Sequence, residues 1–212
     1  TCIGKMNKIL PKKILCFITP CRHGTKKRTS MIASIQAAID GGVNMVQIRQ
    51  KDANYEELIN FTNMVLKLVK NTTLIMVNSE TPINIHGIAG THFPEKTDSK
   101  TLYSWPQNKI YGQSVHSVIS AKIAEINKIN YVIAGTIFPS SSHPKGLISG
   151  TKLIRDISKE ISIPVIGIGG ITQNNAMQVI ESGASGIAVI SSISKYKDTY
   201  KASKLLADAI GI

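Results

Sequence analysis

The sequence predicts one (β/α)8 barrel over residues 1–212, on three observations. Eight short apolar segments alternate with helix-compatible segments, which is the pattern of parallel βαβ units. No linker or low-complexity stretch divides the 212 residues, and a barrel of this kind often has this length. Two segments near the carboxyl end have the composition of the phosphate-binding turns that commonly follow the seventh and eighth strands of such barrels.

The predicted strands are rich in β-branched residues, as is typical of strands covered on both faces of a parallel sheet. They are residues 15–19, 43–49, 74–77, 88–93, 109–114, 131–135, 165–168 and 186–190. An open doubly wound sheet is the alternative, but it usually has a Gly-x-Gly-x-x-Gly turn after its first strand. Here that strand leads into Thr19-Pro-Cys-Arg-His-Gly24, which lacks the turn, so the barrel is favoured.

The helices are predicted from apolar residues spaced three and four apart. The longest predicted helices are residues 31–39, 55–70, 117–128, 151–160 and 196–210. Ser30 and Asn54 are candidate N-caps, and Gly41-Gly42 is a candidate helix stop. Shorter helices are expected after strands three and four.

The two turns near the carboxyl end predict a phosphate site. Strand seven ends in Gly169-Gly170, which have no Cβ and therefore expose backbone N–H groups to an anion. Strand eight ends in Ser191-Ser192, whose hydroxyls and amides can face the same anion. These four residues are predicted to bind phosphate; the alternative is that the glycines only turn the chain.

Polar residues also follow the other strands, at the end of the barrel where chemistry is found. At the end of strand two, the alternation of side chains along a strand points Gln47, Arg49 and Lys51 the same way. Arginine and lysine at such positions suit a phosphate or carboxylate ligand, although an exposed amphipathic edge strand would show the same alternation. The loop after strand six, residues 138–146, can supply hydroxyls and a cation to a ligand and can act as a flexible lid; the alternative is an ordinary surface loop. The predicted substrate contacts are Gln47, Arg49, Lys51, Asn78, Ser114, Ser140, Ser141, Ser142 and Lys145.

His116 is the candidate catalytic residue. It follows Ser114 by two positions at the end of strand five, and an imidazole can take and return a proton near neutral pH. The alternative is a histidine that only hydrogen-bonds within its turn. A structural role is the favoured interpretation of His92, and a ligand contact that of His143 in the predicted lid.

The distribution of charge bears on possible partners. The net charge is +12, and eight of the 25 basic side chains precede Asp40, the first acidic residue. No aromatic residues are interleaved with these lysines and no nucleic-acid-binding motif accompanies them, so no nucleic-acid partner is expected. The basic segment 1–13 and the loop 23–29 are predicted to be solvated, with attraction of an anionic substrate as the alternative.

Hydropathy and cysteine content bear on location. No apolar run approaches the roughly 20 residues that span a bilayer, and the short stretch 14–20 lacks a cleavage site, so neither a membrane partner nor a signal peptide is expected. Cys2, Cys16 and Cys21 form no Cys-x-x-Cys pair, which predicts free thiols, no zinc and a cytoplasmic location. Cys16 is expected to be structural rather than catalytic.

Six segments together resemble the thiamin phosphate synthase / thiazole tautomerase (TenI) superfamily. They are Val46-Gln-Ile-Arg-Gln-Lys-Asp52, Leu74-Ile-Met-Val-Asn78, Gly112-Gln-Ser-Val-His-Ser117, Tyr131-Val-Ile-Ala-Gly-Thr-Ile-Phe-Pro139, residues 163–172 and residues 183–192. The resemblance implies a (β/α)8 barrel, often homodimeric, that acts on phosphorylated thiazole or pyrimidine in thiamin biosynthesis. A thiazole phosphate and a second copy of the chain are therefore the expected partners.

The resemblance leaves two activities open. The synthase couples a pyrimidine diphosphate to thiazole phosphate with Mg2+, held by an aspartate after the asparagine of strand three and by another soon after strand four. In this chain Ser79 and Thr97 stand at those positions, with Glu95 and Asp98 nearby. Because Mg2+ needs carboxylate or phosphate oxygens, no metal site and no cofactor are predicted, and Mg2+ is expected only if the synthase alternative holds.

The preferred hypothesis is therefore a metal-free thiazole tautomerase, an isomerase. His116 matches the catalytic histidine of that branch, Arg49 and Lys51 are expected to face a carboxylate, and the two turns to hold the phosphate. The synthase is the alternative, because the pattern Gln47-x-Arg49-x-Lys51 suits a diphosphate. A non-catalytic thiazole phosphate-binding regulator is the third hypothesis and a nucleic-acid-binding protein the last.

Overall fold

Eight parallel strands close into a barrel in the computed structural model, which describes residues 9–20, 25–50, 53–69, 72–97, 106, 108–140 and 147–212. Each strand pairs with the next, and β8 closes the barrel on β1 with Ile14 opposite Gly186. The strands are β1 (Ile14–Ile18), β2 (Met45–Ile48), β3 (Leu74–Asn78), β4 (Gly90–Phe93), β5 (Ile110–Val115), β6 (Tyr131–Gly135), β7 (Val165–Ile168) and β8 (Gly186–Val189). The predicted fold class is confirmed, with strand ends that differ from the predicted ones by at most two residues.

The helices lie between the strands on the outside of the barrel. They are α1 (Thr25–Asp40), α2 (Tyr55–Leu66), α3 (Val118–Ile126), α4 (Gly150–Glu160), α5 (Ala176–Glu181), α6 (Ser191–Ser194) and α7 (Thr199–Ile210). Asn54 caps α2 as predicted, because its side-chain oxygen accepts a hydrogen bond from the Glu57 amide at 2.9 Å. The predicted stop after α1 is also confirmed, since Gly42 follows the helix with a φ of 109°.

Two predictions about helices are wrong. Ser30 lies inside α1 rather than at its N-cap. The earlier start of the helix was not predicted because residues 25–30 are polar and carry no apolar periodicity. Residues 79–89, between β3 and β4, form turns without a helix; Pro82 and Gly87 (φ 94°) interrupt any helical run. The segment after β4 lies mostly outside the described residues, so the short helix expected there stays a prediction.

The core has two layers that follow the alternation of the strands. Leu15, Phe17 and their equivalents face outward and pack under the helices. Cys16, Met45 and Met76 face the barrel axis in a second apolar cluster. Burial raises the pKa of the Cys16 thiol, which is therefore neutral and structural as predicted. Within the described residues no helix is both long and apolar enough to cross a bilayer.

Candidate active site

A cavity of about 900 Å3 opens at the carboxyl ends of the strands. It collects every predicted site residue that the structure describes: Gln47, Arg49, Asn78, Ser114, His116, Ser140, Gly169, Gly170, Ser191 and Ser192. The other predicted contacts, Lys51, Ser141, Ser142 and Lys145, lie outside the described residues together with His143. The predicted meeting of these strand ends in one place therefore holds for the described residues.

The turn after β7 requires glycine at two successive positions. Gly169 and Gly170 have φ values of 106° and 62°, which favour glycine. A Cβ on Gly169 would lie 2.5 Å from Thr136 Cγ2, and one on Gly170 would lie 2.3 Å from the Pro139 carbonyl oxygen. The turn is thus packed against the loop that leaves β6, and neither position has space for a side chain.

Asn175 holds the same turn in place from the other side. Its side-chain oxygen accepts a hydrogen bond from the Thr172 amide at 2.8 Å, and its side-chain amide donates to the Gly170 carbonyl at 3.1 Å. Because the Gly170 carbonyl is bound here, the orientation of the peptide that joins Gly170 to Ile171 is fixed. Asn175 was not selected from the sequence as a site residue.

The turns after β7 and β8 are joined directly. The hydroxyl of Ser192 donates a hydrogen bond to the Ile171 carbonyl, so it does not face an anion as the sequence suggested. Among the backbone–backbone hydrogen bonds formed by turns and loops of the described residues, none has the amide of Gly169, Gly170, Ser191 or Ser192 as its donor. The two turns therefore offer backbone N–H groups, rather than the Ser192 hydroxyl, to a ligand in the cavity.

His116 is held by a carboxylate that the sequence analysis considered only as a metal position. Glu95 accepts one hydrogen bond from the His116 backbone amide at 2.9 Å and another from Nδ1 of its imidazole at 2.8 Å. The His116 side chain is 61% exposed, so without this contact the ring would rotate freely in solvent. The contact spans 21 residues of sequence and depends on β4 and β5 being neighbours in the barrel.

The charge of Glu95 determines where the shared proton lies. Partial burial raises the pKa of the Glu95 carboxyl, but hydrogen bonds from Ser120 and His116 outweigh it and leave the pKa below its ordinary value. The ionised carboxylate can only accept hydrogen bonds, so the proton between the two groups belongs to Nδ1 of His116. In the neutral imidazole, Nε2 then keeps its lone pair and can act as a base.

The wall formed by β2 contains a buried polar group that has no partner. Gln47 is 2% exposed, and its side-chain oxygen lacks a hydrogen bond among the described residues, as does that of Gln50. An unsatisfied buried acceptor costs about 1–3 kcal/mol, so these oxygens favour a ligand that donates hydrogen bonds. Arg49 lies between them, and its backbone amide donates to the Thr19 hydroxyl at 3.0 Å. Gln50 was not selected from the sequence.

The described cavity residues offer few carboxylates to a resident Mg2+. Glu80 and Glu95 line the cavity beside Asn78, and each oxygen of Glu95 already accepts one hydrogen bond from His116. Over the described ranges, no group of three His, Cys, Asp or Glu residues could hold a metal ion. Magnesium is usually bound through one or two carboxylates that are free to coordinate it, together with substrate phosphates.

His92 lines the cavity floor but is a poor proton shuttle. It is 1% exposed, and its two ring nitrogens lie 3.1 Å from Tyr131 Oη and 3.0 Å from Ser114 Oγ. Burial lowers its pKa to about 3, so the ring is neutral near pH 7. This environment agrees with the structural role favoured for His92 from the sequence.

Comparison with known proteins connects this site to one family. A family model described as thiamine monophosphate synthase matches residues 15–193. The thiamine-phosphate synthase of Chlorobium limicola is 36% identical over 192 residues, covering 87% of both chains, and that of Bacillus cereus is 32% identical over 98% of this chain and 96% of its own. The structure of thiamine phosphate pyrophosphorylase from Pyrococcus furiosus aligns with a TM-score of 0.80 at 26% identity, over 94% of this chain and 96% of that one. These names favour the transferase, which the sequence analysis held as its alternative, over the isomerase that it preferred.

Proposed function

Because the chain belongs to the thiamine monophosphate synthase family, we propose that it is a thiamin-biosynthesis enzyme acting on a phosphorylated thiazole, and that its reaction is metal-free tautomerisation. Membership of the family supports the substrate class. The choice of reaction rests on the residues of this site, since one fold and one family can support different chemistry.

The pairing of His116 with Glu95 is the observation that carries the choice. It orients an imidazole at the cavity, and it engages both oxygens of a carboxylate near the expected metal position in hydrogen bonds. The proposed reaction needs only a proton acceptor and donor: His116 Nε2 removes a proton from the ring of a carboxythiazole-ylidene ethyl phosphate, and a proton returns to the exocyclic carbon. The double bonds shift into the ring, which becomes aromatic, and no co-reactant is consumed.

The remaining described residues position the substrate in this proposal. The amides of the glycine and serine turns bind the phosphate, as backbone N–H groups commonly do. Arg49, at the end of β2, binds the carboxylate, with which a guanidinium can form two parallel hydrogen bonds. The substrate is thus held at its two anionic ends while the reacting carbons lie between them, within reach of the base.

The transferase is the second candidate, and the names of the relatives favour it. It would join a pyrimidine diphosphate to thiazole phosphate, and Gln47 and Arg49 suit a diphosphate as well as a carboxylate. It would also need Mg2+ held largely by the diphosphate itself, because Ser79 and Thr97 offer no carboxylate.

One pair of assays separates the two candidates. The protein is incubated with the thiazole tautomer, and separately with thiazole phosphate plus the pyrimidine diphosphate, each with Mg2+ or with EDTA. Tautomerisation that EDTA leaves unchanged, without coupling, supports the isomerase; coupling that requires Mg2+, without tautomerisation, would establish the transferase instead. His116→Ala is expected to lower tautomerisation by about 10²–10⁴-fold, whereas replacing the exposed His86 outside the cavity should leave it unchanged.

A further inference from the structure

Three side chains form a hydrogen-bonded row at the floor of the cavity, which His92 and Ser114 line and Tyr131 does not. Tyr131 Oη lies 3.1 Å from His92 Nδ1, and His92 Nε2 lies 3.0 Å from Ser114 Oγ. Tyr131 and His92 are 0% and 1% exposed, whereas Ser114 is partly exposed. The row therefore connects the barrel interior to a single hydroxyl at the cavity surface.

A glycine on the intervening strand makes the row possible. His92 on β4 is opposite Gly112 on β5, which is in turn opposite Tyr131 on β6. A Cβ at Gly112 would lie 2.1 Å from Tyr131 Cζ and 2.5 Å from its hydroxyl oxygen. Because position 112 has no side chain, the phenol ring can extend across β5 and contact the imidazole.

Each member of the row is electrically neutral, which limits how its hydrogens can be arranged. Burial raises the pKa of the Tyr131 phenol and lowers that of His92 to about 3. A neutral imidazole has one N–H donor and one acceptor nitrogen, and a phenol has one O–H donor. The row can therefore point toward the cavity, with every hydrogen donated in the direction of Ser114, or in the opposite direction.

The two directions differ in the number of buried hydrogens that remain unbound. When the row points away from the cavity, the Ser114 hydroxyl donates to His92 and His92 donates to Tyr131. The Tyr131 hydrogen then has no other recorded hydrogen-bond acceptor in the part of the chain that the structure describes. An unsatisfied buried donor is costly. When the row points toward the cavity, Tyr131 donates to Nδ1 of His92, and Nε2–H of His92 donates to Ser114 Oγ. The Ser114 hydrogen then faces a cavity that can contain water or ligand.

We propose that Tyr131 and His92 are positioning residues that fix the Ser114 hydroxyl as a hydrogen-bond donor directed into the cavity. Ser114 then recognises a ligand atom that only accepts hydrogen bonds, such as a carboxylate oxygen, a phosphate oxygen or an unprotonated ring nitrogen. The identity of the ligand, though not the direction of the row, rests on the proposed substrate class.

The direction of the row is tested without substrate, through the tautomer of His92. Nitrogen-15 chemical shifts at neutral pH are expected to show the proton on Nε2 in the wild-type protein. Tyr131→Phe removes the hydroxyl with little change in volume and should produce a mixture of tautomers. Tyr111→Phe is the matched control, because its hydroxyl donates to the Pro106 carbonyl and plays no part in the row. A wild-type proton on Nδ1 would overturn the proposal.

Ligand binding gives the second readout. Ser114→Ala is expected to weaken thiazole carboxylate phosphate binding by about 10-fold or more, since it removes a hydrogen bond to a charged acceptor. Tyr131→Phe should weaken it by roughly 3- to 10-fold, and the double variant should bind no more weakly than Ser114→Ala alone. Full additivity of the two losses would overturn the coupling between Tyr131 and Ser114.

Thiazole phosphate without the carboxylate identifies the accepting atom. A loss on Ser114→Ala that is confined to the carboxylated compound assigns Ser114 to the carboxylate, and an equal loss with both assigns it to the ring nitrogen or the phosphate. Failure of the wild-type protein to bind either compound would refute the proposed substrate class, whereas the tautomer measurement would still decide the direction of the row.

Discussion

Substituting Gly170 by alanine tests whether the turn after β7 binds phosphate. Gly170 has a φ of 62°, and an added Cβ would lie 2.3 Å from the Pro139 carbonyl oxygen and 2.8 Å from Phe138 Cβ. Both neighbours belong to the loop that leaves β6, so either this loop or the glycine turn must move. A movement of the turn displaces amides that are proposed to contact the phosphate.

The expected magnitude has two parts. An alanine in the left-handed region costs roughly 1–2 kcal/mol of folding stability, and overpacking costs about 1–3 kcal/mol more. Loss of one hydrogen bond to a charged ligand removes about 1.5–3 kcal/mol of binding free energy, which corresponds to a dissociation constant roughly 10- to 100-fold higher. The measurement is calorimetric titration with thiazole phosphate, alongside denaturant unfolding.

Gly150→Ala provides the matched control. Gly150 has nearly the same φ, 65°, but an added Cβ would meet no described atom within 4 Å, and the residue does not line the cavity. It should therefore show the backbone penalty of roughly 1–2 kcal/mol without a change in affinity. Wild-type affinity in Gly170→Ala, or an equal loss of affinity in Gly150→Ala, would refute the assignment of the turn to phosphate.

Three further outcomes are expected. Glu95→Gln should lower kcat more than it raises KM, measured with the thiazole tautomer, because the ligand contacts remain while the imidazole loses its anionic partner; an unchanged kcat would contradict this role. The depressed pKa of Glu95 adds stability that is fully present above its ordinary value of 4.5 and disappears as the pH falls through the lower folded value. The difference in unfolding free energy between wild type and Glu95→Gln is expected to be under about 1 kcal/mol for a residue 34% exposed, and to shrink as the pH is lowered below 4.5. In a Cys2→Ser, Cys21→Ser background, Cys16 should resist alkylation until the protein is unfolded, and rapid labelling of the native protein would contradict its burial.

The strands could be predicted closely because their signal is local. Apolar runs, often with β-branched residues, mark most of the buried strands, and Asn54 with Glu57 forms a capping pattern readable over four residues. The first turn of α1 was missed because its residues are polar. A helix after β3 was expected from the regular alternation of the fold, but Pro82 and Gly87 prevent it locally.

The site could be predicted only in part because strand order brings residues together without fixing their contacts. The positions of Gln47, Ser114 and His116 at the ends of predicted strands were enough to predict that they surround one cavity. It did not reveal that Glu95 binds His116, since that contact depends on side-chain directions from two strands. The role of the Ser192 hydroxyl was mistaken for the same reason: a hydroxyl in a turn can bind a ligand or the neighbouring chain, and only packing decides which.

The hydrogen bond from Ser192 to Ile171 has a consequence for how new reactions can arise in this scaffold. It ties the two turns of the proposed phosphate site into one unit encoded within residues 165–192, whereas His116, Glu95 and Arg49 come from earlier stretches of the chain. Substitutions in those earlier stretches can thus alter which bonds are made or moved while the substrate's charged tail stays anchored. Under the proposed function, two different transformations of related thiazoles can then share one phosphate site, and the residues that follow β2, β4 and β5 would determine the reaction.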